Sequence, residues 1–274
     1  MPISNSLKRV IVCLDLRGGR VVKGVNFRGL RDLGDPTELA EYYEAEGADE
    51  IFLLEISGRA EGRRALLSTI RSLTDRLRVP LIVGGGIRTV EDAGAALDAG
   101  AARITINSAG VERPELFTEI AKRFGSERVT ASIDARWVQG GDGALYMVHT
   151  RGGRCATGLE VADWAQRCRE SGAGEILLTS IDQDGRGEGY DLELTRRVAD
   201  RVPIPVIASG GAGRARHLVE ACTYGRAAGA LAAGIFHRGT TSIDAVKALL
   251  AEAGLPVRGG TKGPITAVKG PRDR

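Results

Sequence analysis

Two stretches of the chain end an apolar run on clustered glycines in nearly the same words. "LIVGGGIRT" occupies 81–89 and "VIASGGAGRA" 206–215, so Gly86 and Gly211 stand 125 positions apart in a chain of 274. A second pair recurs at almost the same interval: "VIVCLDLRGGR" (10–20) runs out on Asp15 and "VTASIDARWVQGG" (129–141) on Asp134. Self-similarity at about half the chain length restricts the fold more than any local propensity does, because each half must build the same unit. Within the halves, short runs rich in Val, Ile and Leu alternate with amphipathic stretches, the pattern of βα units on a parallel sheet. Strands are expected near 8–14, 50–55, 80–84, 102–106, 128–134, 174–179, 204–208 and 228–233, and helices near 36–47, 62–77, 89–99, 113–124, 160–171, 190–201, 214–224 and 241–253. Eight of each predict the α/β class and, within it, a (β/α)8 TIM barrel with a twofold half-barrel repeat. An open doubly wound sheet is the alternative, but neither glycine cluster is a GxGxxG with an acidic residue about twenty positions on. One barrel domain is expected over 1–258, followed by a disordered tail, "GGTKGPITAVKGPRDR" (259–274).

Composition removes several classes of function. No apolar run approaches the roughly 20 residues of a spanning helix, and "MPISNSLKRV" has no signal-type apolar core. A cytoplasmic protein is therefore expected, with no membrane partner. Cys13, Cys155, Cys168 and Cys222 form no CxxC, and His149, His217 and His237 have no metal-ligand spacing, so neither a metal nor another cofactor is expected. A formal charge of +3 and 4% aromatic residues make a poor nucleic-acid surface and leave small anions as ligands.

The glycine clusters suit such anions. At a strand-to-helix turn, glycine admits φ > 0 and lets the backbone approach a ligand closely, while N–H groups of the next turn face it. "ITINSAG" (104–110) and "ALAAGIF" (230–236) each follow a cluster by one βα unit. Gly86 with Asn107 and Ser108 is one expected phosphate cradle; Ser209, Gly210 and Gly211 with Ala233 and Gly234 form the other. A ligand with a phosphate at each end would span the barrel mouth. Between the cradles, Asp15 and Asp134 occupy equivalent strand ends, where one carboxyl can give a proton while the other takes one. "SIDQDGRGEGYD" (180–191) adds Asp182, Asp184 and Gly185. "GRVVKGVNFRGLRDLGDP" (19–36) is long for a βα connection, as lids on a catalytic face often are, and its Lys23 is either a contact that neutralises a phosphate or polarises a carbonyl, or a solvated lysine. A tight turn without a ligand and an aspartate turn former or N-cap are the bland alternatives for the first two features, weakened by the pairing of the halves; for 180–191 a solvated acidic loop stays the alternative.

"CLDLRGGRVVKGVNFRGLRDLGDP", "VGGGIRT", "INSAG", "SIDAR", "GAGEILLTSIDQDG", "GYD", "IASGGAG" and "FH" together resemble the HisF family, the cyclase subunits of imidazole glycerol phosphate synthase, over roughly 7–258. The resemblance implies an ammonia-dependent lyase of histidine biosynthesis acting on a bisphosphorylated ribulosyl-formimino intermediate, partnered by a glutaminase in a heterodimer. It makes Asp15 and Asp134 the acid/base pair and Lys23 a substrate contact, with Gly86, Asn107, Asp184, Gly185, Gly211 and Ala233 at the phosphates. Arg9, Glu50, Arg103 and Glu175 become a charged gate for ammonia at the opposite barrel end. Four positions depart from the family pattern: Glu55 for aspartate, expected to crowd the mouth; Gly234 for serine, expected to weaken one phosphate site; Arg103 for lysine in the gate; and Ala102 for an aspartate facing the partner. They keep open a paralogue closing a ring on a related phosphorylated substrate. A sugar isomerase resembling HisA fits the first strand less well, and a non-catalytic scaffold would need no carboxylate pair.

Overall fold

Eight parallel strands close on themselves in the computed structural model of the protein, which describes residues 6–25, 28–58, 60–140 and 143–259. In chain order the strands are β1 (Arg9–Arg17), β2 (Arg20–Val25), β3 (Arg28–Gly34), β4 (Glu50–Glu55), β5 (Leu81–Gly84), β6 (Arg103–Ile106), β7 (Val129–Gly140), β8 (Gly143–Thr150), β9 (Cys155–Glu160), β10 (Glu175–Ser180), β11 (Val206–Ser209) and β12 (Gly229–Ala232). The ring runs β1-β4-β5-β6-β7-β10-β11-β12, with β12 returning to β1 by pairing Gly229 with Arg9. The helices are α1 (Pro36–Ala45), α2 (Ala60–Thr74), α3 (Val90–Asp98), α4 (Ser108–Glu112), α5 (Glu115–Phe124), α6 (Val161–Glu170), α7 (Leu192–Arg201), α8 (Ala215–Thr223), α9 (Gly234–His237) and α10 (Ile243–Glu252). The expected tail from 260 onward lies outside the described residues, as do positions 26 and 27 of the 19–36 stretch.

The period of two along a strand sorts the residues into two cores. Ile11, Cys13, Phe52, Ile82, Leu177, Ile207 and Leu231 fill the lumen, while the alternate positions, such as Val10, Val12, Leu14, Ile51 and Leu53, pack under the helices. On β1 the inward series is therefore Arg9, Ile11, Cys13, Asp15. One strand carries a charge at one barrel end, two lumen residues, and a carboxylate at the other end.

Two hairpins depart from the simple barrel. The stretch 19–36 is built as a hairpin: β1 turns at Gly18–Gly19 into β2, which pairs antiparallel with β1 and β3. β7 also runs past the barrel rim, and β8 and β9 fold back on it antiparallel, in a region where no strand was expected. The very short α4 and α9, also unforeseen, begin directly after β6 and β12.

Helix starts follow local chemistry. Asp35 caps α1 by accepting from Thr37 and Glu38 N–H, with Pro36 in the first turn, and Thr89 and Asp92 form a reciprocal capping box on α3. His237, at the end of α9, is structural: Nε2 donates to the Cys13 carbonyl at 3.2 Å and Nδ1 accepts from the Tyr43 hydroxyl at 2.7 Å. Burial pushes its pKa down to about 3, holding the ring neutral.

Candidate active site

Asp15 and Asp134 stand at the C-terminal rims of β1 and β7, where the inward alternation leaves the lumen and reaches the mouth. Asp15 accepts from the Lys23 ammonium at 3.2 Å and from the Cys13 thiol at 3.4 Å. Lys23 is thus carried on β2 directly to the first carboxylate. Burial is the largest single influence and disfavours the Lys23 charge, but the Asp15 carboxylate together with Cys13 and Asp184 raises the lysine pKa overall. Asp134 has no cation within ion-pair distance among the described residues; the Asn107 amide donates to it at 3.1 Å. Burial raises its pKa to about 6, against that hydrogen bond and with the Asp184 charge adding to the rise. Asp184, on the loop after β10, is itself raised by burial, offset by Lys23 and reinforced by Asp15. Three carboxyls and one lysine therefore share one electrostatic field, and the two strand-end aspartates sit in different surroundings, the condition for dividing acid and base roles.

The glycine turns have the required geometry. Gly85 and Gly86 take φ of 95° and 73°, and Gly210 and Gly211 take 86° and 107°, a region costly to other residues. A Cβ at Gly85 would lie 2.1 Å from the Glu55 carbonyl oxygen, and one at Gly211 2.0 Å from that of Gly189. The glycines after Asp184 let their loop cross the second turn, where Gly189 N–H donates to the Gly211 carbonyl at 2.8 Å. Ser209 pairs with Leu231, so the turn after β11 adjoins Ala233 and Gly234 after β12. β5 likewise lies beside β6, bringing Gly86 toward Asn107 and Ser108.

Several of the expected site residues also bond within the protein. Asn107 turns its amide to Asp134, leaving its buried Oδ1 without a partner, and the Ser108 hydroxyl accepts from Arg151 N–H at 2.9 Å. Asp182 is tied to the hairpin, accepting from Trp137 N–H at 2.7 Å. Two arginines not singled out in the sequence stand beside the cradles. Arg63, ion-paired to Asp92, reaches within 3.9 Å of where a Gly86 Cβ would be; Arg238 brings a guanidinium nitrogen within 2.8 Å of the corresponding point on Gly234. The missing side chain at 234 thus makes room for a cation; the only sequence signal is their four-residue spacing.

Glu55 does not crowd the mouth. Its carboxylate folds back onto its own loop, accepting from Ser57 N–H and Gly58 N–H, both at 2.9 Å, and from the Ser57 hydroxyl. Gly62 admits it, since a Cβ there would fall 2.3 Å from Oε1. Glu55→Asp is expected to shorten that reach and lower folding stability by about 1–2 kcal/mol, the scale of hydrogen bonds to a charged group, with no gain in turnover. A denaturant titration beside an activity assay checks both.

At the opposite end of the lumen, the four expected gate residues come together in a closed ring. Arg9 bonds Glu50 at 2.9 Å and also Glu175; Arg103 bonds Glu50 at 2.6 Å and approaches Glu175 at 3.5 Å. Thr130 adds a hydrogen bond to Glu175 at 3.3 Å. Each arginine faces both glutamates, so the ring spans β1, β4, β6 and β10 across the lumen floor. Arg103 Nε forms no hydrogen bond, its approach to Glu175 being electrostatic alone.

A family model described as "Histidine biosynthesis protein" matches residues 9–242. The chain is 55% identical over 251 residues to the imidazole glycerol phosphate synthase subunit HisF of Myxococcus xanthus, covering 92% of this chain and 98% of that relative. The subunit of the same name from Bacillus pumilus is 51% identical, covering 92% of this chain and 99% of its own length, and that from Pyrobaculum aerophilum 50%, covering 91% and 98%.

Proposed function

The chain belongs to the histidine biosynthesis protein family and, within it, to the HisF subunits of imidazole glycerol phosphate synthase, and from that premise we propose how its barrel performs the cyclase reaction. The observation that carries the reading is the placement of Asp15 and Asp134 on opposite strands of one mouth, flanked by two positive-φ glycine turns. The bisphosphorylated intermediate lies across the mouth, one phosphate at Gly85–Gly86 and the other at Gly210–Gly211 with Ala233, Gly234 and Arg238. Ammonia joins the ribulosyl arm, the imidazole ring closes, and the aminoimidazole carboxamide ribonucleotide leaves. Joining a nitrogen to a carbonyl carbon sends a proton to oxygen and removes one from nitrogen, and Asp15 and Asp134 serve these transfers. Asp134, with its pKa near 6, both holds and releases a proton close to neutrality, while Asp15 works from its ion pair with Lys23.

Ammonia enters through the ring of Arg9, Glu50, Arg103 and Glu175 and travels the apolar lumen to Asp15. A glutaminase subunit docked on that face as a heterodimer supplies it. The working compartment is the cytoplasm, which suits four free thiols. With Glu55 turned out of the mouth, the paralogue reading loses the departure that bore most directly on substrate fit. Excess ammonium salt at alkaline pH replaces the glutaminase in the test: the purified chain is expected to consume the bisphosphorylated intermediate, followed by loss of its absorbance. No turnover by a protein shown to be folded overturns the reading in favour of another substrate.

A further inference from the structure

The register of β7 and β8 sets His149 directly opposite Asp134. Directly paired residues of antiparallel strands project to the same face, with Cβ atoms about 4.5–5.5 Å apart. The imidazole is buried and shares the mouth-facing side of the ladder with the carboxylate. Its Nδ1 lies 3.1 Å from the Met147 carbonyl oxygen. A carbonyl only accepts, so Nδ1 carries the hydrogen and the lone pair of the neutral ring sits on Nε2. Among the described residues no hydrogen bond engages Nε2. Nothing in the reading above uses this histidine.

We propose that His149 is a positioning residue that tunes the proton affinity of Asp134: an imidazolium at 149 favours the ionised carboxylate, and a neutral ring lets it keep a proton. The coupling acts through space, and the only bond formed or lost at the histidine is N–H at Nε2. Other groups around the pair give no equivalent counter-charge. From β6 comes the neutral Asn107 amide, and from the loop after β10 the Asp184 carboxyl, which opposes ionisation of Asp134. From β9, Ala156 pairs with His149, with Cys155 and Glu160 at the neighbouring registers. α6, packed on β8, buries Cys168, a thiol pushed up by burial, and exposes Asp163 and Arg167; Arg151 follows in the turn after β8. A cationic ring at 149 acts to lower the carboxyl pKa, behind burial, the Asn107 hydrogen bond and the Asp184 charge in size.

The inference rests on the reading of Asp134 as a proton carrier, but its test needs no turnover. Protein labelled with 13C at aspartate Cγ and 15N in histidine is titrated by NMR, beside His149→Phe and with Asp134→Asn used to assign the carboxyl signal. In the unmodified chain, neutral His149 is expected to be protonated at Nδ1, and the Asp134 signal to move with the histidine step as well as its own. In His149→Phe the Asp134 signal is expected to titrate in one step, higher by roughly 0.5–1 pH unit, the scale of one nearby charge. A merely structural histidine would lower the melting temperature and leave the Asp134 titration in place, and that result overturns the proposal. If His149→Phe does not fold, the unmodified chain decides: a neutral ring protonated at Nε2, or an Asp134 signal blind to the histidine step, overturns it. Loss of turnover in Asp134→Asn bears on the cyclase reading alone, so the two can fail separately.

Discussion

Asp134→Asn lowers ammonia-dependent turnover by roughly 10² or more, the range lost when a general acid or base is removed, while the barrel stays folded. The amide matches the carboxylate in shape and can still accept from Asn107, so the mouth keeps its form and loses only the transferable proton. Stability at neutral pH is expected to hold or rise. The folded-state pKa of about 6 lies above the ordinary aspartate value, so the native state binds the extra proton between about pH 4 and pH 6 and stability falls as pH rises through that window. Removing the ionisable group removes that penalty. Asp15→Asn is expected to cost turnover on the same scale, with a different structural consequence, since Lys23 loses its ion-pair partner. Steady-state kinetics with ammonium salt, beside a melting curve for each variant, checks both. Near-normal kcat in either variant takes that residue out of the mechanism.

Gly211→Ala is expected to disable the second phosphate turn. Its φ of 107° is strained for any side chain, and the new Cβ would sit 2.0 Å from the Gly189 carbonyl oxygen and 3.0 Å from Gln183 Cβ. Backbone cannot yield as a flexible side chain does, so the Gly189–Gly211 hydrogen bond breaks and the crossing loop lifts. Strain of this kind costs about 1–3 kcal/mol in stability, and KM for the bisphosphorylated intermediate should rise roughly tenfold or more, equivalent to about 1.4 kcal/mol of binding. Gly86→Ala is the control: its Cβ meets only the tip of Arg63 at 3.9 Å, so it carries the conformational strain without the collision. A smaller loss of stability and affinity is expected there. Equal losses in the two variants would mean that the crossing loop plays no part in the second turn.

What the sequence could reveal followed from periodicity. The alternation along β1, with Arg9, Ile11, Cys13 and Asp15 all inward, is readable as a pattern of two, and the half-chain repeat places Asp134 and the second glycine turn by analogy with the first. The β7–β8–β9 extension was not legible because it leaves the barrel core. Its strands are held by cross-strand pairing over an incompletely buried face, with Trp137, Val138 and Leu145 exposed, so the apolar rhythm that marks the barrel strands fades there. Side-chain direction at a loop was equally hidden. Glu55 turns back because Ser57 and Gly58 offer donors and Gly62 leaves space, all of which depends on how α2 enters. Asp182 and Asp184 stand two apart in the sequence, and only the fold shows that the hairpin brings Trp137 N–H to Asp182. His149 carries no motif; only the register that sets it opposite Asp134 gives it meaning.

Nitrogen tracing tests the cyclase reading most directly. The unmodified chain is supplied with the bisphosphorylated intermediate and 15N-ammonium, and both products are analysed by mass spectrometry. Imidazole glycerol phosphate is expected to carry one 15N atom, and aminoimidazole carboxamide ribonucleotide to appear in equal amount without label, since it leaves with nitrogen it already held. Label in the carboxamide ribonucleotide, or consumption of the intermediate without a labelled imidazole, would contradict ring closure by incoming ammonia at the mouth between Asp15 and Asp134.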